Sequence, residues 1–342
     1  MMRVTASDRP ETGRAIWYHR DGAVLAIGVW TERDRGRGED SEPLLVHHTK
    51  ENTGVIGVFD GSGGAGASIA YETEAGISRT GAWVGSRVAR GAVESWFRDG
   101  LAGLGPEAAV TLHERLTDLL GRMRPARSSR LMAKMLRELP TTMAVLRYEQ
   151  VSGSVRCRAF WAGDSRAYLL TPDAGLQALT RDHTVETDAL DQLCQDPPLV
   201  NVVSADQPFH IDSSGVECST PCVLVCATDG FFGYLDTPAD LECRLLETLR
   251  QARDEADWAD ALCAWAFETS GDDASLSAVA LGFRGFEELR AAFTARTDIM
   301  VRRYRPTIRH AGLTLAQWRA QAWHTYRPGY ESRMPPLPQE AL

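Results

Sequence analysis

Four aspartates occupy one kind of place along this 342-residue chain, where an apolar run stops beside glycine. They are Asp60 in VFDGSGG, Asp164 in WAGDSRAY, Asp229 in CATDGFFG and Asp272 in SGDDASLS. A short apolar run that ends on Asp-Gly reads as a buried strand followed by a turn. Taken singly, each aspartate is a turn or helix-cap residue. Taken together they constrain the fold, because strand ends in a packed sandwich can converge on one rim. Carboxylates gathered there repel one another unless cations neutralise them. These motifs hold oxygen donors and no His, and their one Cys, Cys226, sits inside an apolar run, which favours a hard ion, Mg2+ or Mn2+, over zinc.

The pattern between the aspartates supports such a sandwich. Residues 22–30 (GAVLAIGVW) and 54–59 (GVIGVF) read as buried strands, and 78–98 and 106–124 as a helix pair with apolar residues three and four apart. Strands return over 142–148, 155–161 and 166–170, and again at 223–227 and 276–283. Amphipathic helices are expected over 239–253 and 255–269. Residues 184–220 show no sustained period and hold Pro197, Pro198 and Pro208, so a loop or irregular subdomain is expected there. Beyond 283 the pattern is helical over 286–309 and 313–326, with Pro328 expected to end the last helix. Strand clusters separated by helix pairs indicate an α+β class with antiparallel sheets, not a doubly wound parallel sheet.

Composition narrows the function classes. The net charge is −9, and residues 284–342 carry ten Arg against five acids, so the excess acid lies in the first 283 residues. An acidic body of this kind disfavours nucleic acid as a partner. No apolar run approaches the roughly 20 residues that span a bilayer, so no membrane is expected and the cytoplasm is the expected compartment. The seven Cys lack a CxxC pair, and Cys222 and Cys226 in CVLVCA read as small buried hydrophobes on a strand. His47 and His48 are expected to face solvent. The basic run 122–137, with Arg124, Arg127, Arg130 and Lys134, reads as a solvated helical face and loop, or else as a docking patch for an acidic phosphoprotein.

DGSGG, GDSRAY, LTRDHT, TDGFFG and DDAS, in this order, resemble the metal-dependent protein phosphatases of the PPM type over about residues 22–283. The resemblance implies a four-layer αββα sandwich as a catalytic domain over 1–283; the basic, aromatic-rich helical extension expected over 284–342 lies outside it. It implies a protein Ser/Thr phosphatase that hydrolyses phospho-Ser and phospho-Thr with water activated by two Mg2+ or Mn2+ ions. Phosphorylated proteins would be its substrates and a Ser/Thr kinase its opposing partner. Asp60 matches the carboxylate that bridges both metals, the carbonyl of Gly61 a ligand of the first, and Asp229 and Asp272 the ligands of the second. Asp164 matches the aspartate of a third, weaker ion. In RGRGEDSE, Glu39 and Asp40 would hold metal through water, and Arg35 would bind the substrate phosphate, with Arg33 and Arg37 as close alternatives.

Two departures accompany the likeness. Ser62 stands where the family often has a His that protonates the leaving oxygen, and Ser is not a useful acid near neutral pH. The family's substrate flap is not recognisable over 185–221. The alternative to an enzyme is a phosphatase-like module that binds or regulates a phosphoprotein without turnover. His183, Thr141 and Thr142 are expected to serve the fold, and Trp258 and Trp265 to be core residues.

Overall fold

The computed structural model describes residues 5–9, 13–22, 24–74, 76–124, 137–195, 197–304 and 313–337. Two antiparallel sheets lie face to face. The first has seven strands in the order β1 (Thr5–Arg9), β2 (Arg14–Asp21), β3 (Val24–Thr31), β14 (Ala274–Leu281), β13 (Cys222–Ala227), β10 (Arg166–Thr171) and β11 (Gly175–Ala178). The second runs β12 (Asp212–Ser219), β9 (Ser154–Ala162), β8 (Thr141–Val151), β5 (Thr53–Gly61) and β4 (Leu44–His48). A small hairpin, β6 (Ile69–Glu72) and β7 (Ser78–Thr80), stands apart.

Between the sheets lies an apolar layer that includes Ala26, Ile56, Val58, Leu146, Leu169, Leu224, Cys226 and Val279. Strands with both faces covered lose the polar/apolar alternation of a half-exposed sheet, and β13 and β14 are buried at every residue. Helices α2 (Gly81–Arg98) and α3 (Glu107–Arg122) cover the second sheet through Val93, Trp96, Leu112 and Leu116. Helices α5 (Pro238–Gln251) and α6 (Glu255–Thr269) cover the first through Leu245, Leu249, Trp258 and Leu262. The result is the α+β, αββα sandwich. The short α1 (Gly63–Gly66) follows β5, and α4 (Ala189–Gln195) lies between β11 and β12.

Several sequence expectations change. The stretch read as one helix over 286–309 is broken at Phe293 into α7 (Phe286–Ala292) and α8 (Thr294–Tyr304), and residues 305–312 lie outside the described residues. The last helix, α9 (Leu315–Tyr330), passes through Pro328. A proline in the last turn forfeits one backbone hydrogen bond, and the helix continues because Tyr330 is buried beyond it. The irregular segment 184–220 contains a full strand, β12, that pairs with β9 from Asp212–Trp161 to Ser219–Ser154. Its exposed face is polar, so it lacked an apolar signature. His47 is buried, with Nδ1 3.0 Å from the Tyr148 hydroxyl, whereas His48 is exposed. Arg127, Arg130 and Lys134 lie outside the described residues.

Helices α7 to α9 contribute Phe286, Leu289, Phe293, Met300, Trp318, Trp323, Tyr326 and Tyr330 to the same apolar cluster as α5 and α6. Polar bonds fasten this layer as well. The fully buried Glu242 of α5 accepts from Arg296 Nε at 2.6 Å and Nη2 at 3.0 Å, from the Tyr326 hydroxyl at 2.7 Å and from the Leu176 amide at 3.0 Å. Removing one partner of a buried ion pair strands the other charge in a low dielectric. Arg296→Ala is therefore expected to lower the unfolding free energy by about 3–5 kcal/mol, and Tyr326→Phe by about 1 kcal/mol. Guanidinium unfolding with an unchanged m-value checks both, and a loss below ~1 kcal/mol in Arg296→Ala would show that the pair does not hold α8 to α5.

Candidate metal-binding active site

Strand register brings the acidic residues to one rim. In the first sheet Ala227 pairs with Leu276 and with Arg166, and Ala274 pairs with Thr31. The end of β13 (Asp229), the entry to β14 (Asp272), the entry to β10 (Asp164) and the exit of β3 (Glu39, Asp40) thus share an edge. In the second sheet Gly61 pairs with Thr141 and Met143 with Ala162, which sets Asp60 and the β9–β10 turn at that same edge. A cleft of about 770 Å³ opens there, and its lining includes Glu39, Asp40, Asp60, Gly61, Asp164, Asp229 and Asp272. All seven residues expected to serve a metal line one cleft.

Each is fixed by its own local bonds. Thr141 Oγ1 donates to the Asp60 carbonyl at 2.6 Å. Thr228 Oγ1 donates to Asp40 Oδ2 at 2.9 Å, and Thr80 Oγ1 to Glu39 Oε1 at 2.5 Å. The loop that carries Glu39 and Asp40 is laced to its surroundings: Trp30 Nε1 and Arg87 Nη2 each donate to the Asp40 carbonyl at 3.0 Å, and Ser86 Oγ to the Glu39 carbonyl at 2.5 Å. The glycines have packing reasons. A Cβ on Gly61 would stand 2.6 Å from the Glu39 carbonyl oxygen, and one on Gly230 would collide with the Asp273 carbonyl.

Asp273 was not singled out in the sequence, where only the first aspartate of the DD pair was assigned. It lines the cleft, and its carboxylate accepts from the Arg33 amide at 2.9 Å and the Glu39 amide at 2.6 Å, which ties the 33–39 loop to the entry of β14. Arg137, likewise not assigned to the site from the sequence, is the one basic residue of the described lining. Of the expected phosphate binders, Arg33 donates its guanidinium to the Gly271 carbonyl, and Arg35 and Arg37 stand exposed on the 33–37 turn, outside the described lining.

The electrostatics of the cleft call for cations. Burial pushes the Asp60 carboxyl well above the usual carboxylate range, and Asp40, Asp164 and Asp272 push it further. Burial does the same to Asp40, with Asp273 and Asp229 adding to it. Glu39 is raised too, first by burial, with the Thr80 hydrogen bond opposing. Deprotonated carboxylates this crowded need opposite charge, and an all-oxygen donor set of carboxylates and a carbonyl suits Mg2+ or Mn2+. The residues present fit such ions.

No protein-family model and no curated protein matches this sequence. Solved structures do resemble the fold. The serine/threonine phosphatase PstP/Ppp of Mycobacterium tuberculosis is 17% identical with a TM-score of 0.51, covering 75% of this chain and 98% of that one. PppA of Pseudomonas aeruginosa, a regulatory component of its T6SS, is 17% identical at TM-score 0.51 and covers 76% and 98%. The PPM Ser-Thr phosphatase MsPP of Mycobacterium smegmatis is 16% identical at TM-score 0.50 and covers 75% and 98%. The chain therefore has the fold of the PPM-type Ser/Thr phosphatases.

The raised carboxyls predict a pH dependence. In metal-free protein, Asp40 and Asp60 keep protons that the unfolded chain has released, so the folded state binds more protons above the unfolded pKa of about 4. Stability of the metal-free protein should fall as pH rises from there through the raised values. Asp60→Asn, which removes one of the crowded charges, is expected to raise the melting temperature in EDTA at pH 7 by at least ~2 °C and to flatten the slope between pH 5 and 7. Calorimetry at both pH values tests this; a variant less stable than wild type at pH 7 would contradict it.

Proposed function

We propose that the cleft is the active site of a metal-dependent protein phosphatase acting on phospho-Ser and phospho-Thr. The observation that carries this reading is the convergence of Glu39, Asp40, Asp60, Asp164, Asp229 and Asp272 on one rim of a PPM-type sandwich. Asp60 and the Gly61 carbonyl would hold the first ion, Asp60, Asp229 and Asp272 the second, with Glu39 and Asp40 acting through water and Asp164 serving a weaker third. When bound, such a pair of ions lowers the pKa of a water between them and neutralises phosphoryl oxygens.

The chain's own part is to position and to exclude alternatives. Ser62 is the one hydroxyl residue among the described lining, its Oγ is buried without a hydrogen-bond partner among the described residues, and no His or Lys lines the cleft beside it. A serine nucleophile needs a base hydrogen-bonded to it, and no carboxylate or other group among the described residues bonds Ser62 Oγ, so attack by water is the reading that fits. Ser62 also cannot protonate a leaving alkoxide near neutral pH, so aryl phosphates, whose leaving groups need less help, should turn over better. Phosphorylated proteins are the proposed substrates, with a Ser/Thr kinase as the opposing activity and the cytoplasm as the setting.

Wild-type protein should release phosphate from phospho-Ser or phospho-Thr peptides only with Mn2+ or Mg2+, and Asp60→Asn should lose at least ~1,000-fold of that activity. Equal, metal-independent rates in both would reject the enzyme reading and favour a binding module. Ser62→His should raise the rate on an alkyl phosphate by roughly tenfold or more while leaving an aryl phosphate less affected; an unchanged ratio would show that protonation of the leaving group does not limit turnover.

A further inference from the structure

A phosphate group entering a cleft lined by carboxylates is opposed by them, and a guanidinium offers a planar fork that offsets that charge and fixes orientation. Most arginines that flank the rim are already engaged. Arg33 donates to the Gly271 carbonyl. Arg79 donates to the Gly36 carbonyl at 2.7 Å and lies over the Trp83 ring. Arg87 donates to the carbonyls of Glu39 at 3.2 Å and Asp40 at 3.0 Å. Arg166 makes a two-point bond to Asp182, with Nη2–Oδ2 at 2.7 Å.

Arg137 is different: it is the one basic residue among the described lining of the cleft. Its backbone is held at a fixed place. Its amide donates to the Ala65 carbonyl of α1 at 2.9 Å, in the segment that follows Asp60, Gly61 and Ser62. The next residue, Glu138, donates its amide to Asp206 Oδ1 at 2.9 Å and accepts from the Ala205 amide at 2.8 Å. The start of β8 follows directly, where Thr141 secures Asp60. One short hydrogen-bonded stretch, 137–141, thus carries both a cleft arginine and the residue that fixes Asp60.

We infer that Arg137, and not an arginine of the 33–37 turn, binds the dianionic phosphate of the substrate phosphomonoester. The inference rests on the phosphatase reading of the same cleft. It assigns recognition of the phosphate to the loop before β8, in a part of the chain whose basic residues otherwise read as a solvated face.

The test uses the full chain loaded with Mn2+ and two readouts, kinetics on an aryl phosphate and inhibition by orthophosphate. Arg137→Ala should lower kcat/KM by roughly 10- to 100-fold and weaken orthophosphate inhibition by about tenfold or more, as expected for loss of charge-assisted hydrogen bonds. Arg137→Lys should recover part of both losses, because it restores the charge and not the fork. Arg122→Ala, which removes an exposed charge paired with Asp118, should change either readout by less than about twofold. Values for Arg137→Ala within about twofold of wild type, or a loss in Arg35→Ala as large as in Arg137→Ala, would overturn the inference. Equal phosphate release by wild type and Asp60→Asn would instead reject the phosphatase reading, and orthophosphate binding by Arg137→Ala and Arg35→Ala would still decide the role of Arg137.

Discussion

Mutual repulsion among carboxylates at one end of two sheets is the constraint on which the rest of this structure depends. Asp40 is buried and Asp60 half-buried beside it, with further acids around them, and water screens charges placed there poorly. A chain tolerates such crowding only if rigid elements hold it and opposite charge answers it. The frame supplies the first condition. Asp60 is built on β5, which is paired on both sides, Asp229 and Asp272 flank adjacent strands, and the 33–41 loop is tied down by Trp30, Ser86, Arg87 and Asp273. Divalent cations would supply the second, and the oxygen-only donor set selects hard ones.

The outer layer shows how the remaining length is used. Helices α7 to α9 lay aromatic side chains against the first sheet and α5, so the basic tail is continuous with the apolar core of the sandwich. Its charges reach acidic partners in the body: Arg296 meets Glu242, Arg319 meets Asp236, and Arg327 meets Asp188 at 2.7 Å. The last of these also accepts from Trp323 Nε1, which fastens α9 to the segment just before α4. The charge asymmetry between the two parts of the sequence is thereby partly resolved in ion pairs between them.

Residues whose chemistry is local were legible in the sequence. An aspartate that ends an apolar run beside glycine announces a strand end, which made Asp60, Asp164 and Asp229 visible before their geometry was, whereas Asp272 stands at a strand entry and Glu39 and Asp40 were legible through the likeness of RGRGEDSE. Features decided by tertiary packing were not. Pro328 falls inside α9 because a buried Tyr330 follows it, β12 forms from a polar stretch because β9 offers an edge, and His47 is buried by Tyr148 across the strands. Asp273 was hidden by its neighbour in a DD pair, and its role as acceptor for two amides of the 33–39 loop depends on contacts more than 200 positions away in sequence. Arg137 closed a basic run whose ordinary reading is a solvated face; only the return of the 137–141 stretch to α1 brings it to the cleft.

Binding of divalent ions by the acids of this cleft is the central claim, and its most direct measurement is an equilibrium titration with Mn2+, following free ion by electron paramagnetic resonance. Wild-type protein should bind about two Mn2+ per chain saturably, with any third ion much weaker, and Asp229→Asn should bind one fewer. No saturable binding at millimolar Mn2+, or the same stoichiometry in Asp229→Asn, would contradict it.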